Sequence, residues 1–187
     1  MKKINTAPVF VNLSDGALSG EGVVKSSRNL GDLKGFFRDE KIRAGMDQST
    51  LVYEVEAILP VEQGTEGGLY FGRTTVYPGR VGEEHFMTKG HFHVKSDRSE
   101  FYWGIEGDGV LLLMNRERQV TAEKISPGSL HYIPAHTAHR TVNTGNETLV
   151  VGACWPSDAG HDYEEIERDG FPASLNEMDG SVYISEI

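Results

Sequence analysis

Gly90–Gly109 reads GHFHVKSDRSEFYWGIEGDG: two histidines one residue apart, then a glutamate seven positions after the second. Three side chains able to ligate a metal thus stand within ten residues, framed by glycines. Residues two apart on an extended chain project to the same face, so His91 and His93 are expected to point together. The polar run VKSDRS is expected to turn the chain, and Glu100 to open the next strand, EFYWGIEG. This spacing predicts a hairpin that sets His91, His93 and Glu100 on one interior wall. The competing reading, an exposed polar strand face, is weakened by the placed glutamate and the flanking glycines.

Outward from this stretch, short runs with strand chemistry alternate with turn signals. The runs are LVYEVEAIL, LYFGRTTVY, EFYWGI, GVLLLMN, LHYIP, HRTVN and TLVVGACW; the turns are PGR, EGDG, NRER, SPGS and NTGN. Such even alternation predicts an all-β antiparallel sandwich or barrel. Pro134 is expected at a turn between two strands, because it cannot donate within a central one. Before residue 50, SSRNLGDLKGFFRDEKIRAG carries Leu30, Leu33, Phe36 and Phe37 at helical spacing, which predicts a short amphipathic helix packed on the barrel. The tail predicts a short helix and a last strand. No repeat or linker divides the chain, so residues 1–187 are expected to form one domain: an N-terminal extension (1–50), a barrel core (about 51–163) and a C-terminal segment (164–187).

The 18 basic and 28 acidic residues give a formal charge of −10. With no basic surplus to neutralise phosphates, a nucleic-acid or anionic-membrane partner is not expected. An anionic small molecule needs only a few local donors and stays open. Cys154 is the single cysteine, which excludes an intrachain disulfide and agrees with a reducing compartment. The opening MKKINTAPVFVNLSDG lacks the apolar core of a secretory signal, and runs such as VLLLM fall far short of the ~20 residues a spanning helix needs. A soluble, cytoplasmic protein is the expectation.

A second stretch, GSLHYIPAHTAHRTVN, runs from Gly128 through Pro134 and His139 to Asn143. It resembles the second motif of the cupin superfamily, whose histidine completes a metal site; His91, His93, Glu100 and Gly107 match the first motif. The resemblance implies a double-stranded β-helix, or jelly-roll, barrel holding one divalent ion per subunit on His91, His93, Glu100 and His139. The chain departs from the pattern twice: six residues separate His93 from Glu100 where cupins commonly have three or four, and His136 stands where a glycine is usual. Register five after Pro134 favours His139 as the ligand, with His136 in the turn and His131 a satisfied or surface histidine. Three imidazoles and one carboxylate suit Fe2+, Mn2+, Ni2+, Co2+ or Zn2+, with Fe2+ the first expectation.

The wider stretch TKGHFHVKSDRSEFY, with TTVYPGRVG, PAHTAHRTVN and DAGHDY, resembles the cupin-type phosphoglucose isomerases found mainly in archaea. That resemblance, from about Leu69 to Tyr163, implies interconversion of glucose 6-phosphate and fructose 6-phosphate. It further implies catalytic roles for Glu100, Tyr102 and His161, and sugar-phosphate contacts from Tyr53, Thr74, Thr88, Lys89, Gly90 and Tyr163. Lys89 and Arg98 are expected to add charge-assisted contacts to the phosphate. Trp155 falls where the family carries a tyrosine. A homodimer is also implied, with the N-terminal segment a candidate interface. The alternatives are an isomerase or epimerase of another sugar phosphate such as mannose 6-phosphate, a cupin dioxygenase, and a non-catalytic sugar-binding cupin.

Overall fold

The computed structural model of the chain describes residue 5 and residues 7–186. Its N-terminal part holds β1 (Val9–Val11), β2 (Leu18–Gly20), β3 (Val23–Asn29), a 3-10 turn (Leu30–Leu33), α1 (Glu40–Gly45), β4 (Leu51–Ile58) and β5 (Leu69–Val76). The middle holds β6 (Arg80–Val81), β7 (Glu84–His85), β8 (Glu100–Glu106), β9 (Gly109–Met114), β10 (Val120–Ile125), β11 (Leu130–Ile133) and β12 (Ala138–Asn143). The chain closes with β13 (Leu149–Pro156), α2 (Glu164–Asp169), β14 (Ala173–Met178) and β15 (Ser181–Glu186).

The architecture is all-β, as the alternation of strand and turn chemistry predicts. A six-stranded antiparallel sheet runs β11-β8-β13-β5-β4-β3, and a three-stranded sheet runs β10-β9-β12. A further sheet, β15-β14-β7-β6, is built partly from the tail, and β1 pairs with β2. The most apolar strands lie inside their sheets, β9 (GVLLLM) between β10 and β12 and β13 (LVVGACWP) between β8 and β5. All six residues of β12 are buried, as are five of the six in β9. Leu111, Leu112, Met114, Ile125, Ile133 and Leu149, each 0% exposed, join one continuous core.

Three local expectations need correction. The N-terminal helix comes in two short pieces, because Gly35 adopts φ +83° and breaks any continuous helix between Leu33 and Glu40. Asp39 caps the second piece by accepting from the Ile42 N–H at 2.8 Å. Leu30, Leu33 and Phe37 are nonetheless buried, as their apolar spacing requires. Second, the tail folds α2 and then two strands, β14 pairing with both β15 and β7. Third, the stretch after Gly90 is not one hairpin. β8 pairs with β11 and β13, whereas the histidine segment bridges to β12 through His91↔His139. The loop 94–99 therefore crosses from one wall to the other. The main sheet also reaches back before residue 51, since β3 pairs with β4 from Val23↔Ile58 to Asn29↔Leu51.

Truncating a core side chain measures how tightly these sheets interlock. Leu111→Ala, at a site with no exposed surface, is expected to cost about 2–5 kcal/mol. The check is a lowered urea midpoint at unchanged slope.

Candidate active site and metal centre

The cavity between the two sheets is built by strand alternation. Tyr53 and Val55 of β4, Gly72 and Thr74 of β5, Ala153 of β13 and Glu100 and Tyr102 of β8 all line it. From the opposing wall come His139 and Thr141 of β12 and the segment Thr88–His91. Tyr163 and His161 stand where the chain returns from β13, and the open volume is about 660 Å3.

The segment Thr88–His91 is fastened to β12 by backbone bonds. Thr88 N–H donates to the Thr141 carbonyl at 2.9 Å, His91 N–H to His139 at 3.3 Å, and His139 N–H back to His91 at 3.1 Å. The exchange sets the two imidazoles side by side, ring centroids 4.3 Å apart. His93 follows one residue beyond Phe92, which is fully buried under the Arg116 guanidinium. The His93 Nδ1 pairs with the Arg98 carbonyl at 2.9 Å, which leaves Nε2 turned to the centre. Glu100 enters from the facing sheet, 95% buried.

One donor atom from each of His91, His93, Glu100 and His139 lies within 4.8 Å of the others. The polar balance suits a cation. His139 Nε2 comes within 2.7 Å of Glu100 Oε1, yet neither atom has a hydrogen bond of acceptable alignment, and both are buried. Groups this close that face a common point and not each other are unsatisfied until something positive sits between them. Burial alone would raise the Glu100 carboxyl; His139 and His93 outweigh it and hold it down at about 2. Burial, reinforced by the neighbouring imidazoles, lowers His91 well below the usual histidine range, so it is neutral and able to ligate.

Around the cluster the same cavity also offers hydroxyls, backbone N–H groups and one ammonium, with the Tyr102 ring 5.4 Å from that of His139. Burial raises Tyr53 to about 12, and raises Tyr102 and Tyr163 as well, so all three phenols stay protonated donors. Lys89 Nζ lies 3.8 Å from Glu167 and over the Phe36 and Tyr163 rings. His161 is exposed at the mouth, its ring stacked on Tyr163 and 4.4 Å from that of His91. Burial of the face it turns inward lowers its pKa.

All of Tyr53, Thr74, Thr88, Lys89, Gly90, Tyr102, His161 and Tyr163 therefore line one cavity with the histidine–glutamate cluster. Arg98 does not. Its guanidinium donates to both Asp158 oxygens at 2.9 and 2.8 Å, and the expectation of a phosphate contact from it is withdrawn. Asp158 is also held by Lys95 at 2.8 Å, so the long loop before Glu100 is tied to the turn that leads to His161. His136 is exposed in the turn after β11 with φ +63°, the conformation that explains a glycine preference there. His131 is buried and satisfied by Glu123 and Ser129. Sequence reading did not single out Val55, Gly72, Thr141 and Ala153. The signal was available, since three of them lie two residues from Tyr53, Thr74 and His139 on the same strand faces. Trp155 lines the wall beside Gly72, where a Cβ would meet its ring at 2.9 Å.

The profile of the family described as Glucose-6-phosphate isomerase (GPI) matches residues 27–185. The chain belongs to that family. It is 45% identical over 175 residues to "Glucose-6-phosphate isomerase" of Thermococcus kodakarensis (strain ATCC BAA-918 / JCM 12380 / KOD1), covering 93% of this chain and 90% of that one. It is 43% identical over 168 residues to the protein of the same name from Thermococcus litoralis, covering 89% and 87%. A bacterial relative, "Glucose-6-phosphate isomerase" of Sinorhizobium medicae (strain WSM419), is 39% identical over 172 residues, covering 90% and 79%. Relatives in the glucose-6-phosphate isomerase family thus match nearly end to end, and the matched span contains every cavity residue named above.

Two tests follow from this geometry. His139→Ala should lower bound divalent metal far more than His136→Ala, as measured by metal analysis after dialysis. The second concerns acid. Asp158 is held below its ordinary 3.8 by Arg98 and Lys95, so its contribution is present above pH 3.8 and is lost as pH falls. Asp158→Asn should therefore flatten the acid limb of a stability–pH curve recorded by thermal melting.

Proposed function

We propose that the chain interconverts glucose 6-phosphate and fructose 6-phosphate, with one divalent ion per subunit held by His91, His93, Glu100 and His139. The observation that carries this reading is one cavity that combines a largely buried three-histidine, one-carboxylate cluster with hydroxyl and N–H donors. Membership of the glucose-6-phosphate isomerase family supports the same reaction. The donor set is borderline in softness and suits Fe2+ first, then Mn2+, Ni2+, Co2+ or Zn2+. An ion held there would supply Lewis acidity toward the substrate carbonyl.

The residues do the rest. The Thr74 and Thr88 hydroxyls and the Gly90 N–H donate to the phosphate oxygens, with Lys89 adding charge and Tyr53 and Tyr163 donating to sugar or phosphate oxygens. That seating places C1 and C2 beside Glu100 and Tyr102. The Glu100 carboxylate carries the proton between the two carbons by the enediol route, and His161 at the mouth shuttles a proton during ring opening. The protonated Tyr102, two residues along the same strand face, donates toward the oxygen that gains charge. A homodimer in the cytoplasm is the assembly and location we propose.

The test strips the protein with chelator, reloads it with each divalent ion in turn, and supplies fructose 6-phosphate. Glucose 6-phosphate should appear only in reloaded samples. Run in deuterated water, the enediol route predicts solvent deuterium at C2 of the product; its absence would point to a hydride shift. Glu100→Gln should reduce kcat by roughly 100-fold or more, the usual worth of a positioned base. Oxygen uptake without isomerisation would favour a dioxygenase, and faster turnover of mannose 6-phosphate would favour the related isomerase.

A further inference from the structure

Arg140 directly follows the cluster histidine His139, yet its side chain leaves the opposite face of β12 and stays 98% buried. Its Nε and Nη2 donate to one acceptor, the Lys89 carbonyl, at 3.2 and 2.7 Å. Its guanidinium lies 4.4 Å over the Phe171 ring. Among the described residues it makes no ion pair; Glu84 acts on it only at longer range. A buried cation without a carboxylate partner is expensive to keep. A guanidinium nevertheless keeps its charge at neutral pH.

The carbonyl that Arg140 grips belongs to the same peptide unit as the Gly90 N–H. In a trans peptide those two groups point in opposite directions, and no cis bond occurs among the described residues. With the carbonyl turned back to Arg140, the Gly90 N–H faces away from it, toward the cavity that Gly90 lines. It donates to no protein acceptor among the described residues. Gly90 adopts φ +75°, and a Cβ there would lie 2.7 Å from Phe171 and 3.2 Å from the Arg140 Cβ. Only glycine therefore fits here, and the peptide that presents this N–H is held by the two Arg140 hydrogen bonds to its carbonyl.

We propose that Arg140 is a positioning residue for the phosphate group, acting from behind the backbone. Its charge polarises the Lys89–Gly90 peptide, and its two N–H groups fix that peptide's orientation, so that a neutral N–H binds a dianion with part of a cation's strength. Hydrogen bonds in series strengthen one another, most of all where the local dielectric is low. The arrangement also keeps the guanidinium out of direct contact with substrate, so the positive charge contributes without a tight ion pair to release. The proposal rests on the isomerase reading for the identity of the anion, though not for the existence of an anion site at Gly90.

The experiment compares the metal-loaded full chain with Arg140→Lys and Arg140→Met. Inorganic phosphate is titrated while the Gly90 amide is followed by NMR, and fructose 6-phosphate kinetics are recorded in parallel. In the wild type the Gly90 amide proton should shift on adding phosphate. Arg140→Met should weaken phosphate binding and raise KM by about tenfold, on the scale of one charged hydrogen bond, with kcat changed less than about threefold and bound metal unchanged. Arg140→Lys, which keeps the charge, should recover part of the loss and serves alone if the methionine variant does not fold. Wild-type phosphate affinity and KM in the folded lysine and methionine variants would overturn the proposal. So would a Gly90 amide that ignores phosphate, or equal losses of kcat, metal and affinity in both variants. A wild type that binds phosphate at Gly90 but does not isomerise the sugar would sink the functional reading and leave this one standing.

Discussion

The mutual backbone exchange between His91 and His139 is the constraint on which the rest depends. An antiparallel bridge puts the two Cα atoms opposite each other and sends both side chains to one face. From that pairing, Thr88 is aligned with Thr141, Gly90 is pressed against Arg140, and His93 is delivered one step beyond Phe92. A slip of one residue would turn His139 out of the cavity and Arg140 into it. The register is secured on both flanks: Phe92 bridges to Asp162 on one side and Met87 to Val142 on the other.

Most of the fold was legible because the central strands are apolar and their turns are marked by Gly, Pro and Asn. The expected runs from LVYEVEAIL to TLVVGACW begin and end within a residue or so of β4, β5, β8, β9 and β13. The strands not foreseen are those whose side chains answer to water or to polar partners. β3 (VVKSSRN) has only exposed or half-buried positions at the edge of its sheet, and β10 (VTAEKI) buries Ile125 alone and exposes Thr121, Ala122 and Lys124. β14 is buried yet carries Ser174 and Asn176, which satisfy each other by a 2.8 Å hydrogen bond. No hydrophobic pattern announces such a strand.

At the candidate site the same division holds. Residues sharing a strand face, such as Glu100 and Tyr102, could be grouped by counting in twos. The joining of three separate segments could not be derived that way; it came from resemblance to a motif. The hairpin expected after Gly90 failed for a definite reason. Loop spacing says that a chain can turn back but not which strand it will pair with, and His139 competes successfully for the partner that Glu100 was expected to be. Arg98 misled in a similar manner, because an arginine beside a metal motif reads as an anion ligand until Asp158 is seen to neutralise it. The net charge of −10 also gives no hint of an interior that holds Arg140 protonated.

That the four donors stand on opposing walls has a consequence for heat resistance. Imidazoles from the β12 side and a carboxylate from β8 are joined, when an ion occupies them, by a strut across the fold, one that the unfolded chain cannot assemble. Occupancy and unfolding are then thermodynamically linked: an ion at 100 times its dissociation constant would add about 2.7 kcal/mol to the folded state. With such an ion in place, the melting point of this chain would rise with free metal concentration.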